Sequence, residues 1–348
     1  MIKKILILLT FTLNVYSQEL SNRIIIWDIT LSTLGLSFSK GVQSQNPDKN
    51  IFGKLKSSLI KKIESIPDDG GQIHLLQFRE DVKYNQTFVN NINGKQQLLN
   101  FVKGYDLVNI PANRGNTNIA GAWEEGSGLI GPNAVNEIYL YTDGEQNVRH
   151  NGDDPKVAFA RIIKKYCTFT QKLNSILFFV SLDAGFDQAT LDLLNGCQTK
   201  LIFIDCGIED PPGIISVKPK MSFLRLNLSD NNLTIKQRFY TDAGFTLDKF
   251  PFTVSLQIPN TPPGFLLDLK PNSYQLNKDG DVEIKTEIVA GDWKNYLKVS
   301  DTIHANLLLK SNYTKTDFIV AFANNGNLPL IIVNRPKKTI SFRKTNND

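Results

Sequence analysis

The sequence predicts an α/β domain built on a doubly wound, mostly parallel sheet, followed by an all-β sandwich domain. Three observations predict this. Apolar runs of strand length alternate with segments of helical period from residue 24 to residue 205, the pattern of strands joined by crossover helices. Two of the runs stop abruptly at a carboxylate, Asp28 and Asp143, and in open α/β sheets ligands sit beyond the carboxyl ends of the strands. From about Val217 the helical period fades, and short alternating runs separated by Asn, Asp, Gly and Pro replace it, which reads as a sandwich of the immunoglobulin-like kind.

Taken in order, residues 1–17 place Lys3 and Lys4 before the apolar run 5–13 and then Val15-Tyr16-Ser17. This is the pattern of a cleavable secretory signal. No later run approaches about twenty apolar residues, so no transmembrane segment is expected in the mature chain. The absence of a Cys after the signal argues against a lipid-anchored amino terminus. A secreted, periplasmic or cell-surface location follows.

Ile24-Ile25-Ile26-Trp27 ahead of Asp28 fits a strand covered on both faces. Residues 33–50, rich in Ser, Gly, Asn and Gln, read as a long polar connection hanging over the end of that strand. Ile51, Phe52, Leu55, Leu59, Ile60, Ile63 and Ile66 recur at helical spacing, with Lys54, Lys56, Lys61 and Lys62 expected to face away. Pro67-Asp68-Asp69-Gly70-Gly71 ends the helix. Strands are expected at 73–78 and, as a sheet edge, at 82–89; a helix lies near 95–102, and a loop runs through Pro111.

In Arg114-Gly115-Asn116-Thr117-Asn118-Ile119-Ala120-Gly121 a Gly-containing turn delivers a threonine to the start of a helix. Residues 137–141 form the strand that runs into Thr142-Asp143-Gly144. A helix at 155–172, a strand at 176–180, a helix at 187–195 and a strand at 201–205 complete a domain spanning 18–206. Asp210-Pro211-Pro212-Gly213 marks a linker over 207–216. Residues 217–348 form the sandwich, with strands at 223–228, 233–239, 252–258, 265–269, 282–288, 303–309 and 318–322. Arg335, Lys337, Lys338, Arg343 and Lys344 make a basic, solvated tail.

The 348 residues, 41% of them hydrophobic, suffice for two such cores. Charge is uneven: residues 18–216 hold 19 Lys+Arg against 22 Asp+Glu, and residues 217–348 hold 18 against 12. The basic residues are scattered among acids with no aromatic interleaving, so nucleic acid is not an expected partner. Of the three cysteines, Cys197 and Cys206 flank the apolar run 201–204, and a strand between them holds their Cα atoms beyond the roughly 7 Å that a bridge allows. That leaves Cys167 to Cys197 as the expected pair, with Cys206 outside it. No C-x-x-C is present and no His stands near a Cys, so zinc binding and thiol catalysis find no support.

Asp28, Thr30 and Ser32 alternate, and a tight turn after the strand aims their oxygens at one point; hard oxygen donors suit Mg²⁺, Mn²⁺ or Ca²⁺. Strand-end Asp and loop hydroxyls that merely cap backbone groups are the other reading of these three residues alone. Together with Thr117 and Asp143, the motif Asp28-Ile29-Thr30-Leu31-Ser32 resembles the metal-ion-dependent adhesion site of the von Willebrand factor A (VWA) family. Thr117 in Gly115-Asn116-Thr117-Asn118-Ile119 matches the family's distant threonine, and Asp143 in Thr142-Asp143-Gly144 its later aspartate. The resemblance covers residues 23–206. It departs from the family pattern in Thr30, which stands in place of a serine and keeps the hydroxyl, in Thr33, where methionine is common, and in the long connection before the first helix.

The resemblance implies a divalent ion, Mg²⁺ or else Mn²⁺ or Ca²⁺, at Asp28, Thr30, Ser32, Thr117 and Asp143, with one coordination position left for an acidic group of a partner. It implies a secreted or envelope-associated adhesion protein whose partner, a protein or a matrix or envelope component, presents an Asp or Glu. An assembly factor that uses the fold as a scaffold around a functionally silent metal is the alternative. No activated nucleophile or paired acid/base motif stands out, so an enzyme is not expected. His150, seven residues after Asp143, sits either at the rim of the site or in a solvated loop, and Glu124 and Glu125 point apart on a helix.

Overall fold

The computed structural model describes residues 21–39, 42–107, 116–132, 134–144, 146–169, 175–182, 185–197, 201–207, 211–219, 224–227, 232–241, 250–257, 269–270, 272–276, 280–288, 302–312, 318–322 and 326–333. The signal expected at 1–17 and the basic tail lie outside them.

All eight residues of β1 (Ser21–Asp28) are buried, because β1 is the centre of the sheet. It pairs in parallel with β4 (Gln72–Phe78) on one side and β6 (Val135–Thr142) on the other. Beyond β4 lies the antiparallel edge strand β5 (Val82–Val89), and beyond β6 lie β7 (Ser175–Ser181) and β8 (Leu201–Asp205), both parallel. The order is β5-β4-β1-β6-β7-β8. Succession runs outward from β1 in one direction and then, from β6, in the other, so the ends of β1 and β6 flank the topological switch point.

Alternation along the strands sorts the core into two layers. Ile25, Trp27, Tyr139 and Phe178 pack with α1 (Phe52–Ser65) and α2 (Ile92–Gly104). Ile24, Ile26, Leu140 and Phe179 pack with α3 (Ile119–Gly128), α4 (Pro155–Phe169) and α5 (Gln188–Gly196). The expected doubly wound, mostly parallel sheet is thus present. α3 lies close on β1: a Cβ at Gly126 would stand 2.6 Å from Ile26 Cδ1, so a larger residue there would push the end of the Ile26 side chain aside. Among the described residues no helix is long and apolar enough to cross a membrane.

The connection at 33–50 is not an irregular loop. After one 3₁₀ turn, Leu31–Thr33, it forms a hairpin of β2 (Leu34–Ser39) and β3 (Val42–Asn50) with an irregularity between Leu34 and Leu36. Leu34, Leu36 and Phe38 alternate with small residues, a period-2 signal that the polar composition masks.

The remaining strands are β9 (Gly213–Pro219), β10 (Leu224–Asn227), β11 (Asn232–Thr241), β12 (Phe250–Gln257), β13 (Leu269–Lys270), β14 (Ser273–Leu276), β15 (Gly280–Ile288), β16 (Thr302–Ser311), β17 (Phe318–Phe322) and β18 (Asn327–Val333). They form two five-stranded sheets, β10-β18-β16-β12-β14 and β13-β15-β11-β9-β17. Phe239 and Phe322 of the second sheet meet Phe252 of the first at ring separations of 5.8 and 5.4 Å.

Residues 213–216 of the expected linker are the first half of β9. Their β-branched run Ile214-Ile215 pairs in parallel with β17, and Ile214 and Ala321 join the apolar layer beneath α1 and α2. Lys62 turns inward, against the expectation that it faces away. It is 4% exposed, donates to Ile214 O at 3.1 Å and lies 4.6 Å from the centre of the Tyr139 ring. Below it the two parts share an ionic cluster. Arg23 and Glu137, both fully buried, bond at 3.2 Å; Arg23 also reaches Asp69 at 2.9 Å, and the Ser216 and Tyr139 hydroxyls both donate to Glu137. Burial alone would raise the Asp69 carboxyl, but the hydrogen bond and charge of Arg23 outweigh it and hold that group below its ordinary value.

Cys167, near the end of α4, and Cys197, just after α5, form a disulfide with Cα atoms 5.7 Å apart, and Cys206 lies outside it. A sequence separation of 30 gives about 3–4 kcal/mol by loop-closure entropy. Cys167→Ser with Cys197→Ser should therefore lower the urea midpoint and, because the unfolded chain without the cross-link exposes more surface, slightly steepen the slope, whereas an unchanged midpoint would mean that the bridge contributes nothing.

Candidate metal centre

The end of β1 is shaped by a side chain that bonds to its own backbone. Asp28 Oδ1 accepts the N–H of Thr30 at 2.9 Å, the local turn for which Asp is suited. The turn sets the Thr30 and Ser32 hydroxyls 2.7 Å apart, where they share a hydrogen bond. Thr33 fixes it from below: its hydroxyl donates to Thr30 O at 2.7 Å. Across the switch point, Asp143 Oδ1 accepts from Ser32 Oγ at 3.2 Å and from Thr30 Oγ1 at 3.5 Å. Asp28 Oδ2 accepts from Thr142 Oγ1 at 2.6 Å.

Thr117 comes from the start of α3. Asn118 caps that helix by accepting from Gly121 N at 3.0 Å, and its own N–H donates to Arg79 O at 2.7 Å, tethering the turn to the end of β4. The loop after Asp143 clamps the other side. Asn147 Oδ1 accepts from Thr117 N at 2.7 Å, and Asn147 N donates to Thr117 O at 3.1 Å. Gln146 accepts from Ala120 N at 2.9 Å and donates to Asn118 Oδ1 at 2.9 Å. Gly144 lies against Thr117: a Cβ there would be 3.3 Å from Thr117 Oγ1.

All five expected residues thus stand at one edge of the sheet. Asp28, Thr30, Ser32 and Asp143 are joined by hydrogen bonds, and Thr117 is joined to them through the backbone after Asp143. Asp28, Thr30 and Thr117 are buried, whereas Ser32 and Asp143 are partly exposed, so the cluster opens on their side. Burial raises the Asp28 carboxyl against the lowering effect of the Thr142 and Thr30 hydrogen bonds. Burial, with the neighbouring Asp28 charge, raises Asp143 well above its ordinary value. Two desolvated carboxylates that repel each other are relieved by a proton or a cation.

Sequence reasoning omits Thr142, Gln146 and Asn147. Thr142 acquires its role only through the pairing of β1 with β6. The amide pair soon after a strand-end Asp is the one trace of the clamp, since amides both donate and accept and so bridge two loops. His150 does not touch these oxygens; its Nε2 lies 2.9 Å from Glu124 Oε2. Lys165, His150 and Asn151 together hold the Glu124 carboxyl down at about 2.

Among the described residues no group of three or more His, Cys, Asp or Glu side chains is placed to hold a metal. Any ion at this edge would rest on two carboxylates and three hydroxyls, a hard-oxygen set that suits Mg²⁺, Mn²⁺ or Ca²⁺.

No protein-family model matches the sequence, and no curated protein matches it. Among solved structures, this chain is similar to the conserved hypothetical protein BatB from Bacteroides thetaiotaomicron, at 14% identity over 54% of this chain and 90% of that one, with a TM-score of 0.36. It is similar to an aerotolerance-related membrane protein from Bacteroides fragilis at 14% identity over 53% and 90%, with a TM-score of 0.35. It is similar also to the SpRpn10 VWA domain, at 11% identity over 53% and 88%, with a TM-score of 0.34.

Proposed function

We propose that this chain is a secreted or envelope-associated binding protein of the VWA kind, in which Asp28, Thr30, Ser32, Thr117 and Asp143 hold Mg²⁺, or Mn²⁺ or Ca²⁺ in its place. The observation that carries this reading is the convergence of a buried carboxylate, Asp28, a partly exposed one, Asp143, and two hydroxyls at the switch point, with Ser32 and Asp143 on the open side. When bound, a divalent ion supplies a Lewis-acidic position at which a carboxylate oxygen can bind. The chain's own residues do the rest. Asp28 and Asp143 bring two negative charges that balance the cation, so a partner's Asp or Glu meets little net repulsion. Thr30 and Ser32 supply neutral donors that fix the spacing, and Thr117 is held in place by Asn147. Gln146 fixes the start of α3 behind it.

We read the site as one of binding, with the nearby His150 imidazole held on Glu124 and not on the hydroxyls of the cluster. We read the two five-stranded sheets as an immunoglobulin-like β-sandwich that acts as a spacer or a second contact surface. The test is capture of a partner from native surface material by the immobilised full chain, with Mg²⁺, with a chelator, and with Mg²⁺ restored. Capture should be lost on chelation and recovered on restoration. Capture that survives chelation would replace this reading with that of an assembly scaffold around a silent metal.

A further inference from the structure

On the α1/α2 face of the sheet, three buried nitrogen donors have nothing to donate to: Nε1 of Trp27, Nε2 of Gln77 and Nε of Arg79. Their residues are 0%, 2% and 8% exposed. They stand together. Trp27 and Gln77 are register partners on β1 and β4, so their side chains share a face. Tyr105 joins the third: its ring meets that of Trp27 edge-on at 5.2 Å, and its hydroxyl accepts a hydrogen bond from the Arg79 guanidinium.

Arg79 carries a permanent charge, and among the described residues no carboxylate forms an ion pair with it. A buried cation without a counter-charge is costly, and so is each buried N–H without an acceptor. A trapped water would accept from two of the donors at most and would leave the charge uncompensated. A compact oxyanion meets both demands, since it has several lone pairs and a negative charge. Tyr84 and Phe101, stacked at 4.4 Å, and Tyr105 are only half-buried, so this aromatic side is where the cluster comes nearest to solvent.

We propose that Trp27, Gln77 and Arg79 form a binding site for a small oxyanion, a carboxylate or a phosphate group. The site is separate from the cluster at Asp28 and Asp143 and does not depend on how that cluster is read.

The test uses the full chain in chloride buffer without divalent cations, so a metal at the other site plays no part. Melting temperature is followed against inorganic phosphate in one arm and acetate in the other, with ionic strength held constant by chloride. Either anion should give a saturable rise of a few degrees, and the arm that responds identifies the group recognised. Arg79→Met should abolish the rise while leaving the anion-free protein as stable as wild type or more so. Trp27→Phe keeps the apolar ring and removes one donor, and should weaken the anion about three- to tenfold, as the loss of one hydrogen bond does. No rise with either anion would overturn the proposal. So would an Arg79→Met protein that retains the rise, or one that is destabilised without anion, since Arg79 would then already be paired in the unliganded chain.

Discussion

Mg²⁺ raises the melting temperature of the full chain, and Asp143→Ala abolishes that rise. This is the expected result if the oxygens at the ends of β1 and β6 hold an ion that the unfolded chain does not. At a hundredfold excess over its dissociation constant, a ligand of the native state adds about 2.7 kcal/mol, or roughly 5–10 °C for a domain of this size. Without metal, Asp143→Ala should melt slightly higher than wild type, because it removes a carboxylate whose charge is disfavoured by desolvation and by the neighbouring Asp28. Thr30→Ser should behave like wild type, since the hydroxyl that meets Ser32 at 2.7 Å survives. Thr30→Val keeps the shape and loses the oxygen, so it should bind metal more weakly. Calorimetry decides the matter: equal Mg²⁺ affinity in wild type and Asp143→Ala would remove the metal reading altogether.

Glu137→Ala should unfold at a much lower urea concentration than wild type, and Arg23→Met should do the same. Each single change strands a buried charge or several hydrogen-bonding groups. Without Glu137, Arg23 loses one of its carboxylate partners, and the Ser216 and Tyr139 hydroxyls lose the carboxylate to which both donate. Without Arg23, Glu137 and Asp69 both lose the guanidinium that bonds them. Breaking a buried pair from one side costs about 3–5 kcal/mol. Replacing Arg23 and Glu137 together by Leu should cost less than the two single changes summed, because neither partner is then left behind. If both single variants lie within about 1 kcal/mol of wild type, the cluster is not the closed ionic network that its distances describe.

Much of the α/β part was legible because its signals are local. A run such as Ile24-Ile25-Ile26-Trp27 that stops at Asp28 announces a buried strand and its end in the same few residues. Thr117 was legible as the opening of a helix, and Asp143 as a second strand end. What stayed hidden depends on partners far away in the chain. Lys62 lies by helical period on the same face as Leu55, Leu59 and Ile66, and its charge alone made it read as solvated; it stays buried because β9 arrives about 150 residues later to cover it. Residues 213–216 read as linker because Pro211 and Pro212 dominate the local signal, and only pairing with β17 reveals the strand. Gln146 and Asn147 look like any polar loop until Thr117 and Ala120 are seen to need their amides. The hairpin of β2 and β3 escaped because its polar composition resembles that of a loop.

Of the six strands of its sheet, β1 is made first, yet its second neighbour is made fourth. Its contacts with β6, among them Asn22 with Asn136, Arg23 with Glu137 and Asp28 with Thr142, all span 114 residues, and the Ser216 bond to Glu137 spans another 79. As the chain leaves the ribosome, the apolar run of β1 must wait for more than a hundred residues before the strand gains its second neighbour, and the charges at its start wait longer still. Long-range pairing of this kind slows folding and lengthens the time during which an unpaired apolar strand can join a neighbouring chain. The nascent chain is therefore most vulnerable at residues 24–27, and a holding chaperone that engages this run has its longest opportunity before residue 135 emerges.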